Sequence, residues 1–139
     1  MTQFAEFRVQ VGRPAVLGND GFGEARTVPI LGGTVTGATL TDIILPGGAD
    51  EQRIRADGLT RIHARYVIRT DDGALIRVDS QGLRHAPLRG DPVDPSQIYF
   101  RTVIRLEAAS PDYDDLNKTL FLSTGRKEAD HVILLLARL

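Results

Sequence analysis

The side chains in this sequence best suited to chemistry are Asp50, Tyr99 and Arg101, and the chemistry they suit is proton transfer on a small anionic compound. A buried aspartate with a raised pKa acts as a general base, and a tyrosine donates a proton to a developing enolate. An arginine stabilises the resulting oxyanion with its guanidinium group. Because the sequence contains no cysteine, thiolate nucleophiles and thiolate metal ligands are excluded. We therefore predict Asp50, Tyr99 and Arg101 as catalytic residues that act without a cofactor.

Arg65, His63 and Tyr66 are predicted to bind the substrate. They lie in one predicted strand, Thr60–Thr70, whose alternation puts His63 and Arg65 on one face and Tyr66 on the other. Tyr66 is also an alternative to Tyr99 as the proton donor. The histidines are scattered, and none stands at the spacing of a metal-binding pair, so we predict no metal site. A solvated outer face explains His63 equally well.

Two interpretations of Arg65 and Arg101 depend on which strand faces point inward. If the apolar faces of Thr60–Thr70 and Ile98–Glu107 fill the interior, both arginines lie outside. This interpretation is favoured because arginine side chains are usually exposed. If the sheet encloses a ligand cavity, the arginines face it together and need an anionic ligand to offset their desolvation. A salt bridge from these arginines to Asp50 or Asp57 is a third interpretation.

Period-two alternation of apolar residues predicts strands along most of the chain. The predicted strand segments are Phe4–Val11, 27–45, Glu51–Ala56, Thr60–Thr70, Ala74–Ser80, Ile98–Glu107, Thr119–Thr124 and His131–Leu139. The remaining stretches are predicted as a long mobile loop at Gly12–Gly23, a surface connection at Arg84–Gln97 and one short helical turn at Pro111–Asn117.

This pattern predicts an all-β fold of about eight to nine strands in a single domain, residues 1–139. No predicted helix is long enough to connect parallel strands, so we expect a predominantly antiparallel, closed or nearly closed β-barrel with a lipocalin-like architecture. A barrel of this size is wide enough for side chains or one small ligand. Gly32, Gly33 and Gly37 are predicted to be the bends that curl the sheet. The last strand is apolar on both faces from Val132 to Leu136, which predicts a homodimer.

Composition and charge limit the partners. The net charge is −1 and charges of both signs are interspersed, so we expect no binding to nucleic acid or to an anionic membrane surface. The longest apolar run, Val132 to Ala137, is too short to span a membrane. The first residues lack a basic segment followed by a long apolar one, so we expect a cytoplasmic protein.

Several motifs together resemble one family, the uncharacterised proteins grouped as domain of unknown function 3237. These motifs are Gly32-Gly33-Thr34-Val35-Thr36-Gly37, Leu45-Pro46-Gly47-Gly48-Ala49-Asp50, Ala64-Arg65-Tyr66 with Thr70-Asp71-Asp72-Gly73-Ala74-Leu75-Ile76, and Tyr99-Phe100-Arg101. The resemblance runs from about Gly12 to the C-terminus and implies a small β-barrel without a generally assigned activity, metal or cofactor. Members often carry a tryptophan after the acidic stretch near Asp114, whereas this sequence has none.

Three hypotheses about function remain. The first is a cofactor-independent lyase or isomerase that acts on a small cyclic or aromatic carbonyl or carboxylate compound inside the barrel. The second is a non-catalytic carrier of a small hydrophobic anion, which uses the same cavity without an acid–base pair. The third is a structural domain, which needs no cavity.

Overall fold

A computed structural model describes residues 2–37, 41–86 and 97–139 of the chain. Ten strands account for most of these residues, and a short 3-10 turn and one helical turn separate the eighth strand from the ninth. The elements are Gln3–Val11 (β1), Ala15–Asn19 (β2), Glu24–Gly37 (β3), Thr41–Ile44 (β4), Ala49–Ile54 (β5), Thr60–Arg69 (β6), Leu75–His85 (β7), Tyr99–Ala108 (β8), the 3-10 turn Pro111–Tyr113, the helix Asp114–Asn117 (α1), Leu120–Glu128 (β9) and His131–Arg138 (β10).

The strands form a closed antiparallel barrel with eight strand positions. The order around the barrel is β1, β10, β9, β8, β7 and β6, then β4 and β5 at one shared position, then β3, which pairs with β1 and closes the ring. The hairpin strand β2 pairs with β3 outside the ring. The predicted fold class and the single helical turn are therefore confirmed.

A bend at Gly32 and Gly33 lets β3 take part in both halves of this closure. Before the bend β3 pairs with β5, and after it β3 pairs with β4 and β1. Both glycines have positive φ, 148° and 146°, a conformation that side chains disfavour. Gly33 also passes so close to β1 that a Cβ atom there would lie 2.0 Å from the Arg8 carbonyl oxygen. The bend predicted at this glycine pair is confirmed.

Alternation along the strands separates a buried inner face from an exposed outer face. The inner side chains at one end of the barrel pack into a solid core, whose most buried large members are Phe7, Val35, Ile44, Ile76, Val78, Ile104, Phe121 and Leu136. Thr60–Thr70 and Ile98–Glu107 both turn their apolar faces inward, so the first interpretation of these two segments is the correct one.

Two predicted connections differ from the structure. In the predicted loop Gly12–Gly23, β2 instead pairs with β3 around a tight turn, in which the Asn19 and Asp20 side chains accept hydrogen bonds from the Gly21 and Phe22 backbone nitrogens at 2.9 and 3.0 Å. The strand β7 does not end near Ser80 but continues to His85, because β6 and β8 pair with it on both sides. The rest of the predicted connection, residues 87–96, lies outside the described residues, as do residues 38–40.

The last strand is enclosed less completely than its composition suggests. β10 lies between β1 and β9, and on its outer face Ile133 is 3% exposed whereas Leu135 is 39% exposed. The homodimer stays a prediction. Among the described residues, no helix combines the length and the apolar character that crossing a membrane requires.

We predict that Gly33→Ala destabilises the barrel far more than Gly18→Ala. Both glycines have positive φ, but a Cβ at Gly18 would meet no atom within 4 Å. Gly18→Ala should therefore cost only backbone strain, about 1 kcal/mol, whereas Gly33→Ala adds a backbone clash and should cost about 3 kcal/mol or more. Urea denaturation measures both costs. Equal costs would show that the contact with Arg8 does not constrain closure.

Candidate functional site

The barrel interior holds a pocket of about 40 Å³ at the end opposite the solid core. Val11, Arg84 and Val132 line the pocket and are only half-buried, so it reaches the open end of the barrel. The other apolar lining residues are Val9, Ile30, Ile62, Ala64, Phe100 and Leu134, and the other polar ones are Asp50, Tyr66, Ser80 and Thr102.

Asp50 and Tyr66 each present a buried polar atom without a hydrogen-bond partner among the described residues. Asp50 Oδ1 and Tyr66 Oη are both inaccessible to solvent, while Asp50 Oδ2 accepts a hydrogen bond from Gln52 Nε2 at 2.6 Å. Asp50 lies opposite Ala64 in the β5–β6 pairing, so Tyr66 is its diagonal neighbour on the same inner face. Leaving such groups unpaired costs about 1–3 kcal/mol each, a cost that a polar ligand atom in the pocket would remove.

Burial changes the acid–base properties of both groups. It raises the pKa of the Asp50 carboxyl, against the opposing effects of the Gln52 hydrogen bond and the Arg84 charge. Burial also raises the pKa of the Tyr66 phenol, and the nearby Asp50 charge raises it further. Tyr66 therefore remains a neutral hydrogen-bond donor, and Asp50 is a stronger base than an ordinary aspartate.

A row of buried hydroxyl groups crosses the inner face beside this pair. Ser80 Oγ donates to Thr102 Oγ1 at 2.9 Å, and Thr102 Oγ1 lies 2.5 Å from Ser123 Oγ. The three residues stand on the adjacent strands β7, β8 and β9, and Ser80 and Thr102 line the pocket. The row gives an otherwise apolar wall two further hydrogen-bonding positions.

Arg84 is the charged lining residue that is absent from the sites predicted from the sequence. It follows Val78 and Ser80 at two-residue spacing on the inner face of β7, and its guanidinium carbon lies 5.6 Å from the centroid of the Phe100 ring. The downstream prolines predict a surface connection that begins at Arg84. Extending the alternation of β7 past Gly82 would have identified it.

Of the predicted site residues, Asp50 and Tyr66 meet in the pocket, whereas Arg65 and His63 lie on the outer face of β6. Arg65 Nε and His63 Nε2 approach the same Asp79 oxygen, at 3.3 and 3.2 Å. The inward orientation considered for Arg65 is wrong because strand alternation gives the inner positions to Ala64 and Tyr66. Its ion-pair partner is Asp79, not Asp50 or Asp57.

Tyr99 and Arg101 also lie away from the pocket. Tyr99 is 46% exposed and stacks on the His85 ring, and the Arg101 guanidinium carbon lies 5.2 Å from the centroid of the Tyr99 ring. The inner position between them belongs to Phe100. The inward orientation considered for Arg101 is therefore wrong.

A larger concavity of about 540 Å³ lies on the outer surface, and His63, Gln81 and Leu83 are among its lining residues. Two of its polar side chains are engaged by a neighbouring carboxylate, since His63 and Gln81 both bond to Asp79. The interior pocket, with its unpaired oxygens, is the better candidate site. Within the described ranges, no group of three histidine or acidic side chains is placed to hold a metal ion.

We predict that Asp50→Asn gains stability relative to the wild type as the pH rises. Because the pKa of Asp50 is raised in the folded state, that state binds more protons than the unfolded chain between the two pKa values. The contribution of Asp50 to the free energy of unfolding is thus lost as pH rises through its folded pKa. Urea denaturation from about pH 4 to about pH 8 should show the variant's relative stability rising.

Asp57→Asn is the matched control, with the opposite sign. Hydrogen bonds from Arg55 lower the pKa of the exposed Asp57 to about 2, so its stabilising contribution is lost as pH falls through that value. The relative stability of this variant should fall between about pH 2 and pH 4 and stay constant above. A pH trend of the same sign in both variants would contradict the environment assigned to Asp50.

Comparisons with known proteins agree with the fold and extend over the whole chain. A UPF0311 protein of Rhodopseudomonas palustris is 40% identical over 132 residues, which cover 90% of this chain and 86% of that protein. The crystal structure of a beta-barrel like protein from Acinetobacter baumannii has a TM-score of 0.91 and 34% identity, and the match covers 98% of this chain and 92% of that chain.

A crystal structure of an enzyme from Penicillium herquei has a TM-score of 0.74 and 18% identity, with coverage of 98% of this chain and 92% of that chain. At this identity the likeness shows the fold alone. The family model described as "Protein of unknown function (DUF3237)" matches residues 1–139, so the resemblance carried by the glycine and Arg-Tyr motifs is confirmed. This chain belongs to the DUF3237 family of proteins of unknown function.

Proposed function

We propose that this barrel is a cofactor-independent lyase or isomerase that transfers a proton on a small carbonyl or carboxylate compound in its interior pocket. The observation that carries the proposal is the pair Asp50 Oδ1 and Tyr66 Oη, two buried atoms without described partners in one pocket. One is a proton acceptor and the other a proton donor, which is the minimum set for enolisation.

In this proposal Asp50 removes a proton from the carbon next to the carbonyl group. The C–H electron pair moves into the enolate, and Tyr66 donates a hydrogen bond to the oxygen on which the negative charge develops. Return of the proton from Asp50 to a different carbon completes an isomerisation. In an elimination the electron pair of the enolate expels a group from the β-carbon, and the proton on Asp50 leaves with that group. Both outcomes need only this pair and the substrate.

Gln52 has a positioning role in the proposal. Its Nε2 donates to Asp50 Oδ2, and its Oε1 accepts a hydrogen bond from Arg26 Nε at 2.7 Å. These two bonds fix the amide orientation, so the bonded oxygen of Asp50 is held and the other oxygen remains free for the substrate.

The size of the pocket restricts the substrate. Typical ligand pockets measure about 300–1,000 Å³, and the 40 Å³ found here holds only the reacting end of an organic molecule. The walls of valine, isoleucine and phenylalanine suit an apolar carbon skeleton. A cyclic or aromatic compound would place its carbonyl edge inside and the rest at the barrel mouth.

We expect the wild-type protein to catalyse exchange of the α-protons of small ketones with solvent deuterium, which proton NMR measures without knowledge of the natural product. A panel of cyclic and open-chain ketones in D₂O serves as substrate. Asp50→Asn should abolish the exchange, and Tyr66→Phe should slow it about 100-fold, as loss of an oxyanion donor does.

Asp57→Asn and Tyr113→Phe are the matched controls, since both residues lie outside the pocket, and they should exchange at the wild-type rate. If chemical-shift titration shows that ketones bind but their α-protons do not exchange, the result would contradict the enzyme and favour the carrier. Unchanged exchange in Asp50→Asn would contradict the assignment of the base.

A further inference from the structure

Three cationic side chains surround the open end of the interior pocket: Arg26, Arg84 and Lys127, here called the cationic mouth. Arg84 lines the pocket directly. Lys127 lies opposite Val132, another lining residue, in the β9–β10 pairing. Arg26 lies opposite Gln52 in the β3–β5 pairing and bonds to its side chain. The cations thus come from three strands spread around one end of the barrel.

These cations lack acidic partners in the part of the chain that the structure describes. None of them belongs to an ion pair there, whereas six other arginines do. Arg26 bonds to a neutral amide and Arg84 lies against an aromatic ring. Arg26 is linked to the Asp50 carboxyl through Gln52, and the same carboxyl attracts Arg84 without forming an ion pair with it.

The electrostatic environment of the cations agrees with a shared anion-binding site. Burial, followed by repulsion from Arg26, lowers the pKa of Arg84, and burial followed by both arginines lowers the pKa of Lys127. Like charges held together and partly desolvated are costly unless an anion joins them. The cost would be removed by a ligand that carries negative charge at this position.

We propose that the cationic mouth binds a carboxylate or phosphate group of the ligand while the ligand's reacting end occupies the interior pocket. This inference rests on the proposed function, because it takes the Asp50–Tyr66 pair as the place of reaction. It adds that the substrate has two ends: an apolar carbonyl end small enough for the pocket and an anionic end a few bonds away. Guanidinium groups suit this role because their planar fork matches carboxylate and phosphate oxygens.

Three compounds with the same methyl ketone end test the inference: 4-oxopentanoate, 4-oxopentyl phosphate and the neutral 5-hydroxypentan-2-one. Their affinities for the full chain are measured by chemical-shift titration at low salt. We expect at least one anion to bind about tenfold or more tightly than the alcohol, since hydrogen bonds to charged groups have this strength. The preferred anion identifies the group, and added salt should reduce the preference.

Arg84→Met and Lys127→Met should each remove most of the preference for the anion. Each substitution should lower the affinity for the anion about tenfold and leave the affinity for the alcohol almost unchanged. Arg105→Met and Lys118→Met, on exposed residues away from the mouth, are the matched controls and should bind as the wild type does. Lys127 is exposed, so its variant tests the site even if Arg84→Met folds poorly.

The outcomes separate this inference from the proposed function. Equal affinity for the three compounds, including binding of none, would overturn the cationic mouth, and so would an equal loss in the control variants. Ketone exchange that depends on Asp50 would still support the enzyme in that case. An anion preference that depends on Arg84 and Lys127, found without any exchange, would support the mouth and refute the enzyme.

Discussion

Closure of the sheet through the pairing of β1 with β3 is the constraint on which the rest of the molecule depends. An open sheet of this kind would leave two edges of unpaired backbone groups, whereas closure pairs them and creates an interior shielded from water. Closure requires the first part of β3 to pair with β5 and the second part to pair with β1 and β4. The bend at Gly32 and Gly33 makes this change of partner along the strand possible. The close approach at Arg8 leaves no room for a side chain there.

The interior that closure creates is divided between two uses. At one end, large apolar side chains fill it and provide most of the hydrophobic stabilisation. At the other end, the inner positions carry Asp50, Tyr66 and Arg84, groups that lose hydration without gaining full compensation. The solid core and the candidate site thus occupy opposite ends of one barrel.

The sequence was sufficient for the architecture and for two residues of the candidate site. Alternation located most strands, and turn-forming residues located the hairpins, because both signals are local. Asp50 and Tyr66 were identified by residue type, but Arg65, Tyr99 and Arg101 were grouped with them on motif position although alternation places them outside. Arg84 was missed because the end of β7 is determined by its two neighbouring strands, a non-local effect. The joint position of Arg26, Arg84 and Lys127 depends on barrel closure and has no signature within any one segment.

The hydroxyl row of Ser80, Thr102 and Ser123 has a consequence for what the pocket can accept. Ser80 donates to Thr102, but the bond between Thr102 and Ser123 can run in either direction by rotation of the hydrogens while the heavy atoms stay fixed. When Thr102 donates to Ser123 it offers the pocket a lone pair, and when Ser123 donates to Thr102 the Thr102 hydrogen is free for the pocket. A rigid wall therefore matches itself to either polarity of a bound group, and it does so without repacking the core.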